Sequence, residues 1–334
     1  MIVSRWTRYG LRAVALVYLL ILLIVPVVLI FWRSLSPGLG QFWDWITTPA
    51  AISALQLSLL IVVIVVPLNV IFGVLTALAL ARGRFPGKGL MAAVVDLPFA
   101  VSPVVAGVAL IALWGSHGWF GGVESLGFRV IFGVPGMVLA TLFVTLPFVV
   151  REVEPVLHEI GTEQEEAAAT LGASGWQTFW RITLPAIRWG LTYGVVLTIA
   201  RALGEYGAVT MVSSNMPGVS QTLTLLVNSR YTDDYNEYGA YAAATLLMLV
   251  AISVLAVMTL IERRSRGRVV DAGALMAPES IVEAALPVEP HSPAEHVPPV
   301  EPVPPVEPVP PVEPVPPVEP RRDPHPRRPA GEEK

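Results

Sequence analysis

Long apolar runs separated by short polar clusters dominate the first 260 or so positions of the chain. A helix that crosses the hydrocarbon of a bilayer needs about 20 mostly apolar residues. Six stretches approach or exceed that length: Leu11 to Trp32, Ala54 to Ala81, Met91 to Trp114, Val134 to Arg151, Ile187 to Val212, and Tyr238 to Ile261. The pattern predicts an all-α, polytopic membrane protein with six transmembrane helices. Arg5, Arg8 and Arg12 precede the first run, as they would in a secretory signal. That run is longer than a signal's apolar core, and no small-x-small cleavage site follows Phe31-Trp32-Arg33, so a retained span is expected.

Composition agrees with a membrane solvent. Hydrophobic residues make up 54% of the 334 and charged residues only 14%, where a soluble chain carries nearer a quarter. The absence of cysteine excludes disulfides and thiolate chemistry. His117, His158, His291, His296 and His325 show no ligand spacing, so no metal site is expected, and neither is a nucleic-acid partner. The distribution of charge says more than the net value of −4. With the N-terminus in the cytoplasm, inner segments hold 13 basic residues and outer segments only Arg33, Arg129 and Arg230. That bias places both termini inside. The aromatic residues near span ends, among them Trp43, Trp45, Trp114 and Trp119, read as interfacial anchors contacting lipid.

The domain boundary falls near residue 272. Residues 1–272 form the membrane domain, and 273–334 are expected to be a disordered proline-rich cytoplasmic tail. Residues 297–320 are four copies of Val-Pro-Pro-Val-Glu-Pro. So many prolines remove the donors a helix or ladder needs, leaving polyproline II as the default.

The inner segment at about 152–187 differs from the other loops. It contains Glu165-Glu166-Ala167-Ala168-Ala169-Thr170-Leu171-Gly172, followed by Ala173-Ser174-Gly175-Trp176-Gln177 and, further on, Ile182-Thr183-Leu184-Pro185. Alanines and acids favour a helix that Gly172 can stop in the left-handed conformation. Ser174 with Gln177 is a capping box that starts a second short helix. Pro185 is expected to close the unit before the next span. Physics alone leaves open an amphipathic helix lying on the membrane surface. The residues, however, resemble the signature loop of ABC importer permeases: Glu-Ala-Ala, three residues, Gly, nine residues, Ile-x-Leu-Pro. Glu166, Ala167, Ala168, Gly172, Ile182, Leu184 and Pro185 match it at every spacing. The resemblance implies the type I ABC importer permease fold, with these residues coupling the spans to a separate cytoplasmic ATPase.

The chain itself is not expected to bind ATP. Gly83-Arg84-Phe85-Pro86-Gly87-Lys88-Gly89 has one residue too few between glycines for a phosphate loop, and Gly89 stands where Ser or Thr must hold magnesium. ATP and Mg would belong to the partner, and the chain would be a non-catalytic subunit.

Four further stretches resemble the sulfate and thiosulfate permeases, most closely their W-type subunit. They are 96–107, 146–152, 177–181 and Ala200-Arg201-Ala202-Leu203-Gly204-Glu205-Tyr206-Gly207-Ala208. The resemblance implies a T-type permease as heterodimer partner, two copies of an ATP-binding subunit, an extracytoplasmic sulfate-binding protein, and a bacterial inner membrane location. Molybdate permeases share the last stretch in weaker form and remain the alternative substrate class. An ion-coupled secondary transporter is the rival mechanism, and it would need intramembrane carboxylates beyond Glu205.

Ionisable groups inside a span cost about 2.5–3.5 kcal/mol on insertion scales and mark function by default. Arg201 and Glu205, four residues apart, are candidates for the translocation pathway or for a packing pair between helices. Ser102, beside Pro103 and near Pro98, is a third pathway candidate, where freed carbonyls would permit a kink. Asn69 is expected to bond between helices and Asp96 to lie near the inner headgroups.

Overall fold

The computed structural model describes residues 5–275 except 126 and 128. The chain parts into two units, Met1–Met276 and Ala277–Lys334. The proline repeats lie outside the described residues.

The described elements are all helical. In chain order they are α1 (Arg5–Leu19), which passes through a wide turn at Leu20–Ile24 into α2 (Val25–Leu35), then α3 (Leu39–Ile46), α4 (Pro49–Arg82), α5 (Lys88–Ala100), α6 (Pro103–Trp114) and α7 (Gly122–Ser125). After these come α8 (Val134–Ile160), α9 (Glu163–Thr170), α10 (Gly175–Thr178), a second wide turn at Phe179–Thr183, α11 (Leu184–Leu203), α12 (Gly207–Val212), α13 (Leu223–Thr232) and α14 (Glu237–Leu275). Among the described residues, five helical runs are long and apolar enough to cross a membrane: Tyr9–Leu35, Pro49–Arg82, Val134–Ile160, Gly175–Leu203 and Glu237–Leu260.

Two expected spans differ from straight rods. The stretch from Met91 to Trp114 is the bent pair α5–α6, turned by 115°. Pro98 and Pro103 remove two amide donors there, and Val101 and Ser102 adopt extended backbone. This is far sharper than a packing kink. The span expected over Ile187 to Val212 breaks after Leu203, and a turn at residues 204–206 separates α11 from α12. Pro185 closes nothing, because it sits in the first turn of α11, where a missing N–H is harmless. The helical run continues unbroken from Gly175 to Leu203.

Helices α4 and α8 form the spine. One buried cluster joins Val74, Ala77 and Leu80 of α4 to Val149, Val150, Val153 and Leu157 of α8 and Ile187 of α11. A second joins Ile61 and Val65 of α4, Met137, Ala140 and Val144 of α8, and Ala208, Val209 and Val212 of α12. Lipid tails are as apolar as Leu, so association here depends on close packing and interhelical hydrogen bonds. Asn69, wholly buried, donates through Nδ2 to Thr145 Oγ1 at 2.6 Å, as the sequence suggested. The first run, Tyr9–Leu35, buries nothing along its most apolar stretch, so that surface is left for lipid or another subunit.

On the expected outer side, Arg230 is 6% exposed. It donates to Gly239 O and Trp45 O, both at 3.0 Å, and to Thr48 Oγ1 at 2.8 Å. Burial pushes its pKa down, with Asp234 opposing. One guanidinium thereby ties α3, α4, α13 and α14.

Helices α6 and α12 also approach closely. A Cβ on Gly107 would lie 2.7 Å from Met211 Cβ and 2.8 Å from the Ala208 carbonyl oxygen. Gly107→Ala is expected to lower stability by about 1–3 kcal/mol through overpacking. Gly89→Ala, where a Cβ meets nothing within 4 Å, should not. Thermal unfolding of the two variants in detergent checks the contrast.

Candidate functional site

Two regions carry the chemistry that the sequence singled out. The first is the meeting of the two helix breaks. A Cβ on Gly207 would stand 3.0 Å from Pro103 Cβ, so the first turn of α6 rests on the first turn of α12. The α5–α6 bend and the α11–α12 break are therefore neighbours.

Glu205 holds this junction. Only 2% exposed, its Oε1 accepts the Ala208 N–H at 2.8 Å and caps α12. Its Oε2 lies 2.9 Å from Arg201 Nη1. Its backbone oxygen accepts from Thr224 Oγ1 at 2.8 Å. Glu205 is thus a cap and an ion-pair partner through its carboxylate, and a brace for α13 through its carbonyl. Arg201 differs, with 35% of its side chain exposed, and it opens one face of the pair to a space beyond the packed helices. Ser102 is exposed at the N-cap of α6, and its side chain makes no capping bond. The structure brings the neighbourhoods of Ser102 and Glu205 together across Pro103 and Gly207.

Sequence reasoning missed the hydroxyls around this junction. Ser58, Thr141, Thr222 and Thr224 line a small internal gap with Glu205. Both ends of the loop after α12 are buried as well: Ser213, Ser220, Gln221 and Thr222 are each at most 7% exposed. Ser213 Oγ donates to Ser220 O, and Leu223 N donates to Ser58 Oγ at 2.9 Å. The available signal was the run of short polar residues at 213–215 and 220–222 in an otherwise apolar chain. A second paired cation also escaped notice. Arg151 was counted at a span end, but α8 continues to Ile160. Arg151 Nε donates to Asp96 Oδ1 at 2.7 Å, and its Nη1 reaches Glu154 Oε2 at 3.3 Å.

The second region is the segment from α9 to α11. Helix, break and helix are all present. Gly172 adopts φ +83°. Ala173 N donates to Ala168 O and Gly172 N to Ala169 O, each at 3.0 Å, which closes α9 with a Schellman motif. The Ser174–Gln177 capping box is formed from both sides. Glu166 and Ala167 are exposed, and Ala168 turns inward. Glu166 Oε1 accepts from Thr162 Oγ1 at 2.7 Å within its own turn. Ile182, Leu184 and Pro185 stand apart from that surface, at the root of α11, where Leu184 packs against the cluster around Ile187. At the tip of the loop, Leu171 is 88% exposed.

Residues 69–267 match the family described as binding-protein-dependent transport system inner membrane component. The chain belongs to this family of multi-pass membrane permeases. It is 48% identical over 259 residues to the sulfate transport system permease protein CysW of Synechocystis, covering 77% of this chain and 94% of that one. It is 38% identical to the CysT permease of Synechococcus elongatus, over 75% of this chain and 90% of the relative. A subunit in the crystal structure of a bacterial alginate ABC transporter, bound to its pentasaccharide-loaded periplasmic protein, superposes with a TM-score of 0.65. At 19% identity, over 78% of this chain and 94% of that one, it supports the fold.

Glu205→Ala removes the cap and leaves Arg201 without its carboxylate, so it should cost about 1–3 kcal/mol of stability. Glu205→Gln keeps an acceptor for Ala208 N–H and should cost less. Unfolding midpoints of the two variants separate capping from charge pairing.

Proposed function

We propose that this permease is the W-type subunit of an ATP-driven importer for sulfate or thiosulfate. The observation that carries this reading is the 48% identity to a CysW permease across 94% of that relative's length. The similarity to CysT permeases supports a related T-type subunit as its partner. An extracytoplasmic binding protein delivers the anion, and two copies of an ATPase subunit hold ATP and magnesium. Both termini face the cytoplasm, in keeping with the 13 to 3 bias of basic residues.

The cycle is alternating access. The short helix α9 is the contact with the ATPase. Exposed Glu166 and Ala167 and the apolar Leu171 at its tip suit a groove on another protein. Small side chains let two backbones approach, and burying Leu171 on docking is favourable. Closure of the ATPase dimer around ATP moves α9, the spans open outward, the anion enters, and hydrolysis returns them inward.

Arg201 with Glu205 suits a conduit rather than a binding site. A bare guanidinium in low dielectric would hold a dianion too strongly to release it. Glu205, 2.9 Å away, already engages Nη1, so the passing anion meets a cation whose field is partly cancelled. The hydroxyl of Ser102 across the junction can donate to the same ion.

Labelled sulfate uptake in a strain lacking the chromosomal gene tests the substrate. Uptake should return with this chain and fall with excess thiosulfate, whereas restoration of molybdate uptake alone would refute the assignment. The loop has its own test. Proline fixes φ near −65° and cannot adopt the +83° of Gly172. Gly172→Pro is expected to abolish uptake while the protein stays at its normal level in the membrane, as judged by immunoblot. Gly172→Ala, with about 1–2 kcal/mol of left-handed strain, should reduce uptake only in part.

A further inference from the structure

We infer that Glu165, rather than the neighbouring signature Glu166, joins α9 mechanically to the spans, through Arg82 and Thr183. The inference rests on α9 being the ATPase contact proposed above. Successive residues on a helix point about 100° apart, and here the two acids face opposite surroundings. Glu166 is exposed and bonded within its own turn, whereas Glu165 turns toward the spans. Its Oε1 accepts from Thr183 Oγ1 at 2.9 Å and from Arg82 Nη2 at 3.4 Å, and its Oε2 lies 3.2 Å from Arg82 Nε.

Arg82 extends the connection. It donates through Nη1 to Leu157 O at 2.8 Å and through Nη2 to Gly161 O. Four pieces of chain therefore meet at one ion pair: the end of α4, the end of α8, α9 itself and the root of α11. Thr183 is 3% exposed. The carboxylate and guanidinium are 23% and 20% exposed, so water screens them less than it screens a surface pair. Arginine suits the position because its rigid fork reaches two carbonyls and a carboxylate together.

The backbone shows why such a tie is needed. Gly161 at φ +62° and Gly172 at φ +83° flank α9. A helix between two turns of this kind could pivot when pushed, and the push would be lost. With Glu165 fixed to Arg82 and Thr183, displacement of α9 is passed to α4, α8 and α11 together. Glu165 and Arg82 are positioning residues, and Glu166 is left free to meet the partner.

The test uses the full permease–ATPase complex in proteoliposomes, with two readouts. Hydrogen exchange at the α9 amides should accelerate in Glu165→Ala and in Arg82→Ala, and stay unchanged in Gln164→Ala, an exposed position of α9 outside the clamp. ATP hydrolysed per sulfate imported should rise in both clamp variants by roughly two- to thirtyfold, the range for residues that carry coupling. The double variant should fall well short of the sum of the two single effects, because both remove the shared ion pair. Unchanged α9 exchange in Glu165→Ala, or additive effects in the double variant, would overturn the clamp. A wild-type complex that imports sulfate without hydrolysing ATP would instead overturn the functional reading, and the exchange data would still judge the clamp.

Discussion

A peptide group freed by a helix break inside a bilayer has no water to turn to, and leaving it unpaired costs several kcal/mol. Breaks are tolerated only where protein supplies the missing partners. Among the described residues two such breaks stand out, and each is provided for locally. At the α5–α6 bend, prolines at 98 and 103 remove donors, Val101 N bonds back to Leu97 O, and Ala106 N bonds to Ser102 O, both at 3.0 Å. At the α11–α12 break, the Glu205 carboxylate takes Ala208 N–H and Thr224 reaches the Glu205 carbonyl. The breaks then pack on each other through Pro103 and Gly207. An architecture that places two satisfied discontinuities side by side, with an arginine open on one face, has the makings of a polar route through an apolar protein.

The same accounting explains why the spine can be plain. Helices α4 and α8 carry Pro67, Pro147 and Pro155 in their interiors, yet they pack as one unit through Val, Ala and Leu side chains. A hydroxyl adds a polar tie between them: Thr145 Oγ1 donates to Thr141 O at 2.6 Å and receives the Asn69 amide of α4. Rigid spine and broken periphery divide the work. The spine fixes distances, and the elements that rest on it through small residues have room to shift.

The spans were legible because the bilayer requires about 20 apolar residues and little else resembles that. The loop from Glu163 to Gln177 was legible for another reason: its chemistry is local. Gly172, Ser174 and Gln177 act on neighbours within five residues, so the left-handed turn and the capping box could be read before any fold was known. The bend at Ser102 was seen only as a possible kink, and the break at Gly204 was missed. Their angles depend on Pro103 meeting Gly207 across about a hundred residues of sequence, and no local pattern encodes that. Glu165 was overlooked on the same ground. Nothing nearby distinguishes it from Glu163 or Glu166, and its partner Arg82 lies 83 positions earlier.

Charge placement gives the proposed conduit its character. Two arginines deep in long helices are each paired with carboxylates: Arg201 with Glu205, and Arg151 with Asp96 and Glu154. Inserting such residues unpaired would cost about 2.5–3.5 kcal/mol apiece, so pairing offsets a folding penalty. Pairing has a second consequence for a dianion. A pore lined with free cations would be a trap, and one lined with none would repel the ion by desolvation. A guanidinium already shared with a carboxylate lies between these limits. It can rotate donors toward a passing oxyanion, and the carboxylate reclaims them when the ion moves on. Glu205 is suited to that return because its other oxygen is anchored to Ala208 N–H, so it holds position while Arg201 turns. On the proposed reading, selectivity is left to the binding protein and direction to the ATPase. The membrane helices supply a route on which no step is deep enough to stall the ion.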